Sequence, residues 1–455
     1  MIDQATWIKN PLAVWTGTQL SAPNGLVICG DKIVELVTTP EPTVSYSKTM
    51  DATDCVIIPG LVNCHHHFYQ TLTRALPIAA NKPLFPWLES LYPIWANLDE
   101  QAIAVSTEVA LSEMLLSGCT TASDHHYVFP PNLENAIDIQ ATVAKEMGMR
   151  VVLTRGSMSL GKSDGGLPPD SVVQTEQTIL DDSQRLIDTW HQPSDGPDNV
   201  SPMTQIALAP CSPFSVTKAL MIQTAELARE NNVLLHTHLA ETEDENQFCL
   251  DSYGVRPLDY LAEVGWLSNQ TWLAHGIHFN RDEIKRLGDA GTGVCHCPSS
   301  NMILASGICP VTDLEAAGSP VGLGVDGSAS NDCSNLMQEV RQAFLMQRLR
   351  SGAEDITADR ALKWGTQGGA NLLRRNDIGS IDVGKQADLA LFKLDELRFA
   401  GAGAPIDALV TCGAHRAEHV MVNGAWRVTD GQIVNSDLGA LRQRQIDVAH
   451  RLVNL

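Results

Sequence analysis

Three histidines stand together at residues 65–67, directly after the apolar run Val56–Val62 that Pro59 and Gly60 interrupt. β-branched apolar residues in such a run read as a buried strand. Side chains of an extended segment alternate faces, so His65 and His67 point one way and His66 the other. Two imidazoles on one face are a natural pair of ligands for a divalent metal. A single histidine there would ordinarily be a packed core residue. Two aligned ones without a metal would leave several buried ring nitrogens to satisfy.

Residues able to do chemistry recur behind other apolar runs. Cys119–Ser123 is followed by Asp124, His125 and His126, and Thr204–Ala209 leads to Cys211. Val233–His238 ends in a histidine with Glu241 three positions on, Thr271–Ala274 leads to His275 and then His278, and Pro320–Val325 leads to Asp326. With Val56–Val62, Arg150–Thr154 and Gly293–Cys297 the runs number eight, separated by helical stretches such as Gln101–Ser117, Asn132–Met147, Lys218–Asn231 and Arg281–Ala290. Alternating β and α units predict a parallel sheet, and eight of them suit a closed (β/α)8 TIM-type barrel. Active-site groups of that fold sit where strands end and loops begin. Chance would place one or two reactive residues at such ends, not the series seen here.

The chain has 455 residues, more than the ~250 of a barrel alone. Residues 1–58 read as short strands, with Asn24-Gly25 and Gly30-Asp31 as turn signals. Beyond a helical region reaching residue 376, Ile381–Phe392 around Gly384-Lys385 and His419–Val428 around Asn423-Gly424 read as hairpins. The expected organisation is a small β-sandwich domain built from residues 1–58 and 377–455, with the barrel, residues 59–376, inserted between the halves. Residues 436–455 read as a closing helix.

With 31 Lys and Arg against 53 Asp and Glu, the net charge is −22, which disfavours nucleic-acid polymer and anionic membrane as partners and leaves a small molecule. Met1–Trp15 shows no signal-peptide pattern, and no apolar stretch approaches ~18 residues. The 11 Cys are scattered singly apart from Cys295 and Cys297, as expected of reduced thiols in the cytoplasm.

The set Gly60-Leu61-Val62-Asn63-Cys64-His65-His66-His67, His238 with Glu241, His275 and Asp326 resembles, in order and spacing, the deaminase branch of the amidohydrolase superfamily. The strings His65–Ala75, Phe85–Leu88, Leu208–Phe214 and His236–Glu241 are similar to those of 8-oxoguanine deaminases, and also of hydroxyatrazine aminohydrolases and guanine deaminases. The resemblance implies that His65, His67, His238 and Asp326 ligate a divalent metal, zinc or iron, which lowers the pKa of a bound water to about 7. It implies that Asp326 takes a proton from that water, that Glu241 protonates a ring nitrogen and then the departing amine, and that His275 hydrogen-bonds the developing oxyanion. Gln70, Cys211, Trp95 and His126, with His278, are the candidate contacts to the ring, whereas His66 and His236 read as structural. Binuclear members of the superfamily bridge two metals with a lysine at the fourth strand, and no lysine occurs from Ser163 to Thr217, so one metal is expected. The implied reaction is hydrolytic deamination of a free purine-type base: 8-oxoguanine to urate and ammonia, with guanine, isocytosine or a hydroxytriazine as alternatives. A homo-oligomer is implied as well. A non-enzymatic scaffold is disfavoured, because every implied ligand is present.

Overall fold

At Gly60 the chain passes from one sheet into another. Its amide donates to the Asp388 carbonyl (2.9 Å), while the next amide, of Leu61, donates to the Gly118 carbonyl (2.9 Å). The run expected as one strand is therefore two: Cys55–Pro59 lies in a six-stranded sheet and Leu61–Asn63 opens a barrel. A Cβ at residue 60 would come within 2.1 Å of Thr120 Oγ1, so glycine is required for this close passage. The computed structural model describes residues 5–131, 133–194 and 201–454.

Eight parallel strands close the barrel: Leu61–Asn63, Cys119–His126, Arg150–Ser157, Thr204–Pro210, Leu235–Leu239, Thr271–His275, Gly293–His296 and Val321–Leu323. The eighth meets the first through Leu323 and Asn63, and the Asn63 side chain accepts from the Val325 amide (2.9 Å). Being buried on both faces, the strands carry the continuous apolar runs typical of parallel sheets. The second and third strands run on to His126 and Ser157, beyond their apolar portions, because Asp124, His125 and His126 keep pairing with Leu153, Thr154 and Arg155. The helix expected from Asn132 begins at Ala136, and Asn132 itself lies outside the described residues.

The chain ends build two further sheets. Thr6–Lys9, Leu26–Cys29, Lys32–Leu36 and Lys48–Asp51 form one. The other joins both ends in the order Ala13–Val14, Cys55–Pro59, Leu389–Lys393, His419–Val422, Ala425–Thr429 and Gln432–Ile433. Ile8, Leu26, Ile28 and Ile33 pack against Ile57, Leu389, Leu391 and Met421 between them, as in a β-sandwich. Asn423 and Gly424 both have positive φ, 50° and 76°, which suits their tight hairpin. The expected hairpin at Ile381–Phe392 is instead a single strand preceded by an isolated bridge from Gln386 to Lys32, because the Ile381 amide is taken by Thr16. The closing helix spans Leu438–Val453. Among the described residues, no helix is long and apolar enough to cross a membrane.

One buried ion pair ties barrel to sandwich. Arg150, at the start of the third barrel strand, donates from Nε and Nη2 to the two Asp388 oxygens at 3.1 and 3.2 Å, and Asp388 also accepts from the Asn423 amide (2.7 Å). Removing one partner of a buried pair strands the other charge. Arg150→Leu is therefore expected to cost roughly 3–5 kcal/mol in a denaturant-unfolding titration, and a loss below ~1 kcal/mol would refute the tie.

Candidate active site

The strand ends meet where the eighth strand returns to the first. The Asp326 amide donates to the His65 carbonyl (3.0 Å), and the short strand Asp326–Gly327 pairs in parallel with His66–His67. Residues more than 250 positions apart are thereby held side by side. Ala240, His275 and Asp326 occupy the left-handed region with φ of 55°, 73° and 62°. For residues with a Cβ this costs about 1–2 kcal/mol each. Such strain gathers at functional sites, where surrounding contacts enforce it.

Hydrogen bonds fix where the imidazole protons lie. His236 Nδ1 is 2.9 Å from the Trp272 carbonyl, which only accepts, so Nδ1 carries the proton and Nε2 is an acceptor. That acceptor faces His65 Nδ1 at 2.8 Å, so His65 donates there and keeps a bare Nε2. His67 Nδ1 donates to the His125 carbonyl and His238 Nδ1 to the Cys211 carbonyl, both at 2.6 Å, which bares their Nε2 atoms too. Those lone pairs face one another. His238 Nε2 lies 3.3 Å from His67 Nε2, and Asp326 Oδ1 lies 3.1 and 3.2 Å from Nε2 of His65 and His67. His65 Nε2 is buried without a hydrogen-bond partner. Burial holds His65 well below the usual imidazole range and takes His238 down to about 3. Neutral acceptors and a carboxylate converging on one volume fit a divalent cation, and three imidazoles with one carboxylate are a familiar ligand set for a hydrolytic metal. Asp326 Oδ2 is oriented by the Ser300 hydroxyl (2.6 Å).

Glu241 and His275 stand beside this focus. His275 Nδ1 donates to Asn301 Oδ1 (2.9 Å), and its Nε2 lies 3.5 Å from Glu241 Oε2 and 3.8 Å from Asp326 Oδ2. Burial works against a charged His275, yet the negative charges of Glu241 and Asp326 outweigh it and raise the pKa. Burial pushes the Glu241 carboxyl upward, with His275 pulling against that shift. Glu241 Oε1 is buried and unpartnered.

A narrow cavity opens onto these groups. Gln70 and Cys211, the candidate ring contacts, line it. Gln70 Oε1 is buried and unpartnered, and burial pushes the Cys211 thiol up to about 12, so it stays protonated. The helix Leu84–Trp95 lays Leu84, Trp87, Leu88 and Tyr92 over the opening, and Phe214 and Tyr127 complete the wall. Trp95 does not line the cavity. Its indole donates to Thr73 Oγ1 (3.2 Å) and packs one layer back on Tyr69, Trp87 and Tyr92. His126 also stands outside, between Tyr69 and Phe129, because alternation along its strand turns His125 inward instead. His278 is engaged by Glu243 (2.8 Å) and the Ser306 carbonyl (2.9 Å).

The structure also brings in residues to which the sequence assigned no role at the site. His125 stacks on His238 with ring centroids 4.8 Å apart. His236, read as structural, sets the tautomer of His65. Ser300 and Asn301 come from the short helix Pro298–Ile303, which has no apolar periodicity to reveal it. His66 is bonded to Ser334 Oγ (3.0 Å), away from the converging lone pairs.

Residues 56–427 match the model of the amidohydrolase family. The chain is 60% identical over 449 residues to the 8-oxoguanine deaminase of Pseudomonas aeruginosa, covering 98% of this chain and 99% of that protein. It is 36% identical over 353 residues to a hydroxydechloroatrazine ethylaminohydrolase of Pseudomonas sp. (strain ADP), covering 76% and 71% of the two chains. It also superimposes on the zinc-complexed atrazine chlorohydrolase of Arthrobacter aurescens TC1 with a TM-score of 0.92 at 31% identity, over 98% of this chain and 100% of that one. A closed parallel barrel with polar strand ends, three imidazole lone pairs converging on a carboxylate, and these likenesses have one reading: the chain belongs to the amidohydrolase family.

Proposed function

We propose that the chain is a metal-dependent hydrolytic deaminase of a free purine-type base, with 8-oxoguanine as substrate and urate and ammonia as products. The observation that carries this reading is the Glu241 carboxyl, buried with one oxygen unpartnered, 3.5 Å from His275 and beside the converging ligands. The choice of 8-oxoguanine is supported by the 60% identity to the Pseudomonas aeruginosa enzyme.

A divalent cation, when bound by His65, His67, His238 and Asp326, supplies Lewis acidity that makes water nucleophilic at neutral pH. The donor set and the zinc of the similar chlorohydrolase favour zinc. Asp326 accepts the proton of the attacking water, its own orientation held by Ser300. Glu241, which burial biases toward the protonated form, donates to the ring nitrogen beside the carbon that carries the amine. His275 stabilises the oxygen as charge develops on it. Glu241, reprotonated with the proton that Asp326 took from the water, then protonates the amine, which leaves as ammonia while the added hydroxyl returns its proton to Glu241. One C–N bond is thereby exchanged for one C–O bond, and both carboxyls are restored. Gln70 meets the ring with its unpartnered carbonyl oxygen, and Trp87, Leu88 and Phe214 provide apolar walls.

A cytoplasmic location agrees with the buried cysteines, which carry free thiols. Self-association of the chain is supported by the exposed apolar residues Met302, Leu345 and Leu349, which line one surface recess, the last 82% exposed.

Ammonia release should be fastest with 8-oxoguanine when guanine, isocytosine and a hydroxytriazine are run beside it on a metal-analysed sample. Faster turnover of one of the others would reassign the substrate, and no turnover of any would sink the reading. Glu241→Gln should lower kcat by roughly 10²–10⁴-fold with metal content unchanged. His236→Ala should weaken metal retention about 10–100-fold in a chelator competition, since His65 would lose the acceptor that holds its Nδ1 proton. Sedimentation should show a single oligomer that Leu349→Glu shifts toward the monomer.

A further inference from the structure

Glu245 is a carboxylate that the proposed mechanism leaves unused. It is fully buried, and its two oxygens accept from consecutive backbone amides, Ala240 (2.9 Å) and Glu241 (3.0 Å). Thr242 caps the helix Glu243–Tyr253 through its hydroxyl, with Glu245 in the third position. That is the sequence pattern of a capping box, in which the glutamate would reach back to the amide of the capping residue itself. Here the carboxylate passes over Thr242 and takes the two amides before it. An ordinary box serves the helix. This displaced one serves the turn that carries Glu241.

That turn needs holding. Ala240 has φ of 55°, a conformation its Cβ disfavours. Its carbonyl is fastened from the other side by the amides of Ile277 (2.8 Å) and His278 (2.9 Å), in the loop that follows His275. Glu245 and this loop therefore grip one strained peptide between them. The direction in which Glu241 leaves that peptide sets its 3.5 Å approach to His275. A buried carboxylate placed beside another carboxylate is costly in stability, so a purely helix-capping purpose would be better served at the surface.

Resting on the reading of Glu241 as the proton carrier, we propose that Glu245 is a positioning residue, whose carboxylate clamps the left-handed turn at Ala240 and so aims Glu241 at the substrate and at His275. Glutamine in its place has the same shape but one acceptor, and its amide nitrogen would face a backbone N–H, donor against donor.

The test uses the metal-replete full chain and whichever base it turns over fastest. Glu245→Gln should lower kcat about 10–100-fold, as loss of a supporting hydrogen bond does elsewhere, with KM changed less than about twofold and metal content as in the parent. Amide hydrogen exchange should quicken at Ala240 and Glu241, a readout independent of turnover. In a Glu241→Gln background, adding Glu245→Gln should change kcat less than about twofold, since the clamp acts only through Glu241. Multiplicative losses in the double variant, or a parent-like kcat in Glu245→Gln, would overturn the clamp. Should that variant fail to fold, Glu245→Asp keeps the charge on a side chain too short for both amides, and parent-like turnover there would overturn it equally. A parent-like Glu241→Gln would instead overturn the role of Glu241, so the two failures are told apart.

Discussion

Three imidazole lone pairs and one carboxylate oxygen are aimed at the same small volume inside the barrel, with no donor among them. Left alone, such an arrangement is repulsive and desolvated. It persists because each histidine is committed from behind: His65 to His236, and His67 and His238 to the carbonyls of His125 and Cys211. The barrel supplies those anchors as rigid strand ends. A cation is the natural complement, and so the fold pre-pays the geometry that binding requires.

The same logic governs the backbone. Ala240, His275 and Asp326 sit in left-handed conformations at the ends of the fifth, sixth and eighth strands. Each end is pinned by bonds from a neighbouring loop. The Asp326 amide is held by the His65 carbonyl, and the Ala240 peptide by Glu245 on one side and the loop after His275 on the other. Glu339 plays a comparable part nearby, accepting from the Ser299 amide (3.0 Å) and from Asn331 (3.0 Å), which joins the helix bearing Ser300 and Asn301 to the loop after Asp326. Buried carboxylates outside the converging cluster thus fasten the loops that carry it.

Access to the cavity is set by a different part of the chain. The helix Leu84–Trp95, an insertion between the first and second barrel strands, covers the opening with an apolar face, and Trp95 anchors it from behind. A residue type associated with ring stacking thus serves the cover rather than the ligand. His126 was ambiguous for a related reason. Adjacent histidines on one strand occupy opposite faces, and nothing in their own types says which face is the lumen.

Legible in the sequence were the alternation of eight strands and helices, the placing of reactive residues at strand ends, and, through the resemblance that His65, His67, His238, Glu241, His275 and Asp326 carry, the chemistry proposed for those ends. These are local signals: periodicity, breaks at glycine and proline, and short motifs whose meaning lies in neighbouring residues. Tertiary structure alone decided that the run around Gly60 belongs to two sheets, that His236 bonds His65 and Glu245 bonds the turn before Glu241 while Trp95 and His126 stand outside the cavity, and that Ser300 and Asn301 reach Asp326 and His275. Each of those outcomes depends on contacts between residues far apart in the chain, or on which face of a strand meets the lumen. No local pattern carries that information, because hydrogen-bond partners and packing neighbours exist only once the barrel has closed.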